Sequence, residues 1–119
     1  NIRRIAEVSK LFIKGGVILI NCFISPTEYI RNQAKQIIGD QDYFEIYVNT
    51  PLEVCEKRDI KGLYAKARAG LLKNFTGIDS PYEEPLNPDV EIKTVETDIE
   101  ASVQQILDKL LPRIEYKNV

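Results

Sequence analysis

Apolar positions along the chain follow two kinds of pattern, which predict helices and strands in turn. Helical spacing or capping signals mark five segments, at residues 1–14, 27–38, 52–58, 63–68 and 98–111. Short apolar runs rich in β-branched residues mark three predicted strands, at residues 17–24, 43–48 and 90–93. Residues 73–88 contain three prolines and are predicted to form a long loop, of the kind that serves as a lid or a binding loop.

The order of these elements predicts an α/β fold with three layers, in which helices cover both faces of a parallel sheet. Ligands of such sheets bind beyond the carboxyl ends of the strands, which here are residues 24–25, 49–50 and 94–97. Three strands make a narrow sheet for this architecture, and no glycine-rich phosphate loop occurs in the 119 residues. We therefore expect one domain that is incomplete at its N-terminus.

Composition narrows the classes of function. Sixteen basic and eighteen acidic residues give a net charge of −2, without the excess of cations that proteins use to neutralise nucleic-acid phosphates. Histidine is absent and cysteine occurs twice, which excludes a Ser-His-Asp triad and a classical zinc site. No apolar run reaches the roughly 20 residues of a membrane-spanning helix. The sequence predicts a soluble, cytoplasmic protein with no nucleic-acid partner, no membrane partner and no metal ligands of its own.

A basic segment follows the second predicted strand. Five cations lie between Arg58 and Lys73, on elements that end at glycines. The charge pattern alone favours a solvated helix face, because runs of charge are usually surface. The alternative is a mobile lid that brings Lys and Arg onto phosphate groups, as phosphoryl transfer requires.

Six sequence blocks resemble adenylylsulfate kinase, and they occur in the order and at the spacing of that family. The blocks are NIRRIAEV at 1–8, FISP at 23–26, TPLEVCEKRD at 50–59, KGLY at 61–64, ARAG at 67–70 and FTGIDS at 75–80. They match the later two thirds of the family's domain. The resemblance therefore implies that residues 1–119 are the C-terminal portion of a P-loop kinase domain, with a lid at about residues 61–79.

The activity that the resemblance implies is transfer of the γ-phosphoryl group of ATP to the 3′-hydroxyl of adenylyl sulfate, with Mg²⁺, in sulfate activation. The complete protein is then an enzyme, whereas the 119 residues alone are expected to be inactive because they lack the phosphate loop. The resemblance also implies a homodimer and a fusion or association with ATP sulfurylase.

Most site residues are carried over from the family position by position, whereas Arg68 and Arg58 are candidates on their chemistry and Thr76 is included because it adjoins Phe75. Lys61 and Arg68 are the predicted catalytic residues, and the Arg68 guanidinium offers a fork of donors that matches phosphate oxygens. The residues predicted to bind adenylyl sulfate are Asn1, Ile24, Ser25, Lys61, Phe75 and Thr76. Those predicted to contact ATP are Arg58 and Thr97.

The sequence also departs from the family pattern. The phosphate loop, the acidic residue of the following strand and the first substrate-stacking aromatic residue of the family have no counterpart in the chain. Asn74 stands where the family usually has glycine. Two other functions stay open on the sequence, namely another small-molecule kinase of the same fold and a non-catalytic nucleotide-binding or dimerisation module.

Overall fold

The computed structural model describes residues 1–116, which form two compact units. One unit consists of Asn1–Tyr43 and Lys73–Glu84, and the other of Phe44–Leu72 and the described residues from Pro85 onward. The elements in chain order are α1 (Ile2–Lys14), α2 (Glu28–Ile38), β1 (Ile46–Asn49), α3 (Leu52–Arg58), α4 (Leu63–Arg68), β2 (Val90–Lys93) and α5 (Ile99–Ile114). The last three residues of the predicted domain 1–119 lie outside the described residues.

The first unit is built on the packing of α1 against α2. The helices bury small side chains, Ala6 and Ser9 on α1 and Ala34 on α2. The Ser9 hydroxyl donates to the Ile5 carbonyl over 2.7 Å and accepts from the Asn21 side-chain amide over 3.0 Å. A buried hydroxyl is therefore satisfied inside this contact.

The loop of residues 73–84 is attached to the start of α2. Thr27 begins that helix, since its hydroxyl accepts from the Ile30 amide over 3.3 Å. The Glu83 amide donates to the Pro26 carbonyl over 2.7 Å, and the Glu83 carboxylate accepts from the Glu28 amide over 2.7 Å. The predicted loop 73–88 is thus fixed at residue 83 to the amino end of a helix.

The predicted strand at residues 17–24 is wrong. These residues have no regular secondary structure, and Ile18, Ile20 and Ile24 are 64%, 81% and 68% exposed. A strand exists only through a hydrogen-bonded ladder with a neighbour. Among residues 1–116, the sheet consists of β1 and β2, which pair with each other and offer this segment no ladder. The apolar composition of the segment indicated burial but could not supply a neighbouring strand.

The second unit is built on β1 and β2, which are parallel and pair from Ile46 opposite Val90 to Asn49 opposite Lys93. Tyr47, Val90 and Ile92 are buried, and α5 packs against β2. The parallel pairing confirms the α/β class. The ladder begins only at Ile46, later than predicted. Ahead of it, the Glu45 amide donates to the Asp89 side chain, and the Glu45 carbonyl accepts from the amides of Asp89 and Val90.

Helix α5 begins where the sequence predicts and ends three residues later than predicted. Asp98 caps it, at the residue where the predicted helix begins, since its carboxylate accepts from the Ala101 amide over 2.8 Å. The helix continues through Pro112 to Ile114, although the prediction stopped at residue 111. Proline removes one amide donor, while the next bond, from the Glu115 amide to the Leu111 carbonyl at 2.9 Å, is kept. No helix within residues 1–116 is long and apolar enough to cross a membrane.

Candidate functional site

A groove of about 660 Å³ in the first unit brings together two of the predicted substrate residues, Asn1 and Ile24. Asn1 precedes α1, and Ile24 ends the exposed apolar segment of residues 17–24. The remaining lining residues are Ile2, Arg3, Arg4, Ile5, Phe23, Ile30 and Gln33. The groove combines apolar walls with two exposed guanidinium groups, which is a suitable composition for an anionic ligand that carries an aromatic base.

Ser25, the next predicted substrate residue, is held by a buried arginine. The Arg31 guanidinium donates from Nη1 to the Ser25 carbonyl over 2.7 Å and from Nη2 to the Glu28 carboxylate over 3.2 Å. The Arg31 side chain is 7% exposed. Its guanidinium carbon lies 6.0 Å from the centre of the Tyr82 ring. The backbone at Ser25 is therefore fixed by a buried, hydrogen-bonded charge.

Phe75 and Thr76 lie in the loop of residues 73–84. The amides of Asn74 and Phe75 donate to the two oxygens of the Asp79 carboxylate, over 2.8 and 2.5 Å. Thr76 forms an isolated bridge with Ser80. Phe75 and Thr76 are both half-buried. The predicted stacking residue thus sits in a closed turn and not in an unstructured loop.

The carboxyl ends of β1 and β2 lie side by side in the second unit, where the α/β rule places a ligand. Thr50 and Thr94, which follow these two strands, share a hydroxyl hydrogen bond of 2.6 Å. Arg58 donates to the Thr94 hydroxyl and to the Thr94 carbonyl, each over 3.4 Å. The Thr97 hydroxyl donates to the Lys93 carbonyl over 3.2 Å. Both predicted ATP residues, Arg58 and Thr97, therefore join the turn that follows β2.

The predicted lid begins at a turn that Asp59 organises. The Asp59 carboxylate accepts from the Tyr64 amide over 3.0 Å and from the Ala65 amide over 2.9 Å, so it caps α4. The hydrogen bond from Ala65 is the main cause that holds the pKa of Asp59 below its ordinary value. Lys61 is exposed between Asp59 and Gly62, whose φ of 64° requires a left-handed backbone. Capping by Asp59 therefore fixes the element that follows Lys61.

Arg68, the predicted catalytic cation, pairs with Glu56 on the preceding helix. Its guanidinium makes two hydrogen bonds to the Glu56 carboxylate, at 3.0 and 2.7 Å. These bonds lower the pKa of Glu56 and raise the pKa of Arg68. The pair keeps the carboxylate ionised and holds two guanidinium donors in a bidentate arrangement.

The structure adds functional neighbours that the sequence reasoning missed, namely Arg31, Glu56, Asp79 and Thr94. Arg31 precedes Ala34 by three residues and so belongs to the apolar face of its helix. This position was the one signal in the sequence that its charge is buried. Thr94 lies in the predicted strand-end segment 94–97. Glu56 and Asp79 lie in the matching blocks 50–59 and 75–80, but the sequence assigned them no role, because their roles depend on partners that the fold brings near.

A metal centre is not formed by the described part of the chain. Residues 1–116 contain no group of three or more Asp, Glu, Cys or His side chains that could hold a metal ion. We therefore assign none of these residues to Mg²⁺.

Comparison with known proteins identifies the family to which the chain is similar. Residues 1–93 match the family model of adenylylsulphate kinase. The chain is 56% identical over 117 residues to an adenylyl-sulfate kinase of Bacteroides thetaiotaomicron, and the match covers 98% of this chain and 58% of the relative. It is 52% identical over 111 residues to an adenylyl-sulfate kinase of Prochlorococcus marinus, covering 93% of this chain and 55% of the relative.

A solved structure is also similar to this fold. It is the APS kinase of Mycobacterium tuberculosis in complex with AMPPNP and APS, with a TM-score of 0.87 and 42% identity. The match covers 92% of this chain and 64% of that one, so the chain spans between 55% and 64% of the length of these three relatives. On the family match, the identities and the parallel α/β structure, the chain belongs to the adenylylsulfate kinase family.

Proposed function

We propose that the complete gene product transfers the γ-phosphoryl group of ATP to the 3′-hydroxyl of adenylyl sulfate and releases ADP and 3′-phosphoadenylyl sulfate. The observation that carries this proposal is the groove shared by Asn1 and Ile24. These residues are distant in sequence, and family resemblance assigns both to adenylyl sulfate. Their meeting in one concave site is what a common ligand requires.

The residues of the first unit supply recognition in this proposal. Asn1 and Ile24 contact adenylyl sulfate in the groove, and Ser25 contributes from a backbone that Arg31 holds. Phe75 offers a flat apolar face to the adenine ring, and Thr76 adjoins it. These contacts would be made equally to the ground state and the transition state, so they act mainly on affinity.

The residues of the second unit act on charge. Arg58 and Thr97 flank the turn after β2 and would contact ATP, which supplies the transferred group. Lys61 is an exposed point charge suited to phosphate or sulfate oxygens, and the Arg68 fork suits the equatorial oxygens of a transferring phosphoryl group. Positioning and charge stabilisation are the main contributions that a protein makes to this reaction.

Further proposals rest on the family resemblance alone. They are a requirement for Mg²⁺, a homodimer, a fusion or association with ATP sulfurylase, and a cytoplasmic location. Metal dependence of turnover and sizing chromatography of the complete gene product test the first two.

The direct test is phosphorylation of adenylyl sulfate by the complete gene product with ATP labelled on its γ-phosphate, with AMP offered as a competing acceptor. We expect labelled 3′-phosphoadenylyl sulfate and little product from AMP. Preference for AMP would indicate another small-molecule kinase, and nucleotide binding without transfer would indicate a non-catalytic module. The 119-residue chain by itself serves as the negative control, because it contains no glycine-rich loop ending in Gly-Lys-Ser/Thr.

A further inference from the structure

We propose that Asp79 is a positioning residue that orients Phe75 toward the adenine ring of adenylyl sulfate, an inference that rests on the proposed function. Asp79 acts through the backbone of the loop and touches no ligand itself. Nothing in the sequence assigned it a role, although it lies inside the block 75–80 that resembles the family.

Both polar backbone groups of Phe75 are held by residues that follow it within five positions. The Phe75 amide donates to Asp79 Oδ1 over 2.5 Å, and the Asn74 amide donates to Asp79 Oδ2 over 2.8 Å. The Phe75 carbonyl accepts from the amides of Ile78 at 3.1 Å, Asp79 at 3.2 Å and Ser80 at 3.2 Å. The Gly77 amide closes the turn by donating to the Ser80 carbonyl over 2.8 Å. The peptide units on either side of Phe75 therefore have little freedom to rotate.

Asn74 shows why a carboxylate is needed at this place. Its φ of 57° is a left-handed conformation that costs energy for any residue other than glycine, although asparagine tolerates it better than most. The resemblance places glycine at this position in the family. With asparagine there, the left-handed backbone of this chain depends more on stabilising contacts from other residues. One carboxylate accepts two charge-assisted hydrogen bonds, from the amides of Asn74 and Phe75, and so stabilises the strained backbone between them.

Orientation matters because stacking requires one ring face to be parallel to the base. Phe75 is half-buried, so the residue remains partly accessible. A loop that is already ordered loses less conformational entropy when the ligand binds. Loss of the Asp79 carboxylate should therefore weaken adenylyl sulfate binding even though the aromatic ring is still present.

The experiment compares Asp79→Ala and Asp79→Asn in the complete gene product by steady-state kinetics. We expect Asp79→Ala to raise KM for adenylyl sulfate about tenfold, within the range of base–aromatic stacking, with kcat and KM for ATP changed less than about twofold. Asp79→Asn keeps one acceptor oxygen and should fall between Asp79→Ala and the unmodified protein. Glu84→Gln, which neutralises another exposed carboxylate of the same loop, is the matched control and should change nothing.

A double-mutant cycle separates positioning from a general structural effect. In a Phe75→Ala background, Asp79→Ala should raise KM for adenylyl sulfate by less than about twofold, because the ring that it orients is gone. Fully additive effects would overturn the proposal. So would an unchanged KM in the Asp79→Ala single variant.

Amide hydrogen exchange provides a readout without ligand. The Asn74 and Phe75 amides should exchange faster in Asp79→Ala, while the amides of α1 and α2 stay as protected as before. Equal exchange of Asn74 and Phe75 in both proteins would overturn the proposal even if the enzyme is active. If the unmodified protein does not bind adenylyl sulfate, the proposed function fails and this proposal fails with it, whatever the exchange rates show.

Discussion

Arg68 donates two hydrogen bonds to Glu56, from Nε to Oε2 at 3.0 Å and from Nη2 to Oε1 at 2.7 Å. The fork that this arginine would offer to a phosphoryl group is thus occupied by a carboxylate. The two side chains are 56% and 28% exposed, so water screens the pair and exchange of one anion for another costs little. Glu56 therefore holds the guanidinium in place, and a phosphate group can still displace the carboxylate.

Replacement of Arg68 tests its proposed role in the reaction. We expect Arg68→Ala in the complete gene product to lower kcat about 100-fold while KM for each substrate changes much less, because contacts with transition-state charge affect the rate. Steady-state kinetics measures both quantities. Lys66→Ala, which removes another exposed cation of α4, is the control and should keep kcat nearly unchanged. A similar loss in both variants would indicate a general effect of positive charge.

The Glu56–Arg68 pair should make stability depend on pH. Because the pKa of Glu56 is lowered in the folded protein, the pair contributes fully above the ordinary glutamate pKa. The contribution is lost as the pH falls through the lowered value. We expect Glu56→Gln to be less stable than the unmodified protein at neutral pH, by a small amount, and equally stable in strong acid. Urea unfolding from neutral pH to strong acid measures the difference in stability between the variant and the unmodified protein. Glu53→Gln on the same helix is the control, and its difference from the unmodified protein should not disappear in acid in this way.

Local signals in the sequence predicted most of the fold. Thr27 and Asp98 cap their helices as the residue types indicate, and the parallel pairing of β1 with β2 follows from the alternation of elements. The segment at residues 17–24 could not be predicted in the same way. Its side chains specify an apolar environment, but a strand also needs a backbone partner, and an apolar run does not contain that information.

The candidate site was predictable in its motifs but not in its supporting contacts. Family resemblance singled out Phe75, and the guanidinium of Arg68, inside a matching block, made that residue the candidate cation. The partners of these residues, Glu56 and Asp79, are recognised only once α3 lies against α4 and the loop after Lys73 has closed. Side chains that act through other residues carry no motif of their own.

Removal of the Phe75 ring tests recognition of the base. We expect Phe75→Ala to weaken adenylyl sulfate binding by about 1 to 3 kcal/mol, the range for base–aromatic stacking, and to leave ATP affinity nearly unchanged. Calorimetric titration of the complete gene product with each ligand measures this. Tyr29→Ala removes an aromatic side chain that is 74% exposed on α2 and should change neither affinity. Equal losses for both ligands in Phe75→Ala would indicate a packing role for Phe75.

Replacement of Arg31 should destabilise the first unit. Lysine keeps the charge but cannot reproduce the fork that reaches both the Ser25 carbonyl and the Glu28 carboxylate. We expect Arg31→Lys to lower the free energy of unfolding by about 2 kcal/mol, the cost of one hydrogen bond to a buried charged group. Urea unfolding at neutral pH measures it, with Arg4→Lys at an exposed position of α1 as the control. A loss of similar size in Arg4→Lys would contradict the explanation.

The lid, at residues 61–79, should gain order when both nucleotides are bound, and most of that gain should fall in residues 61–73. Gly62, Gly70 and Gly77 have φ values of 64°, 73° and 90°, which permit hinge movements that other residues resist. The cations at Lys61, Lys66 and Lys73 are exposed and repel one another until anionic ligands approach, whereas Arg68 is already paired with Glu56.

Helix α4 contributes to the same expectation. It has six residues, too few for a stable isolated helix, and its amino end depends on Asp59. We therefore expect amide exchange across residues 61–73 to slow when ADP and adenylyl sulfate are added together to the complete gene product, and much less with either alone. The amides of residues 74–75 should gain less protection from exchange, because their hydrogen bonds to Asp79 already protect them. The amides of α5 serve as the internal reference. Equal protection with and without ligands would show that this segment is a solvated surface helix, as its charge pattern alone indicates.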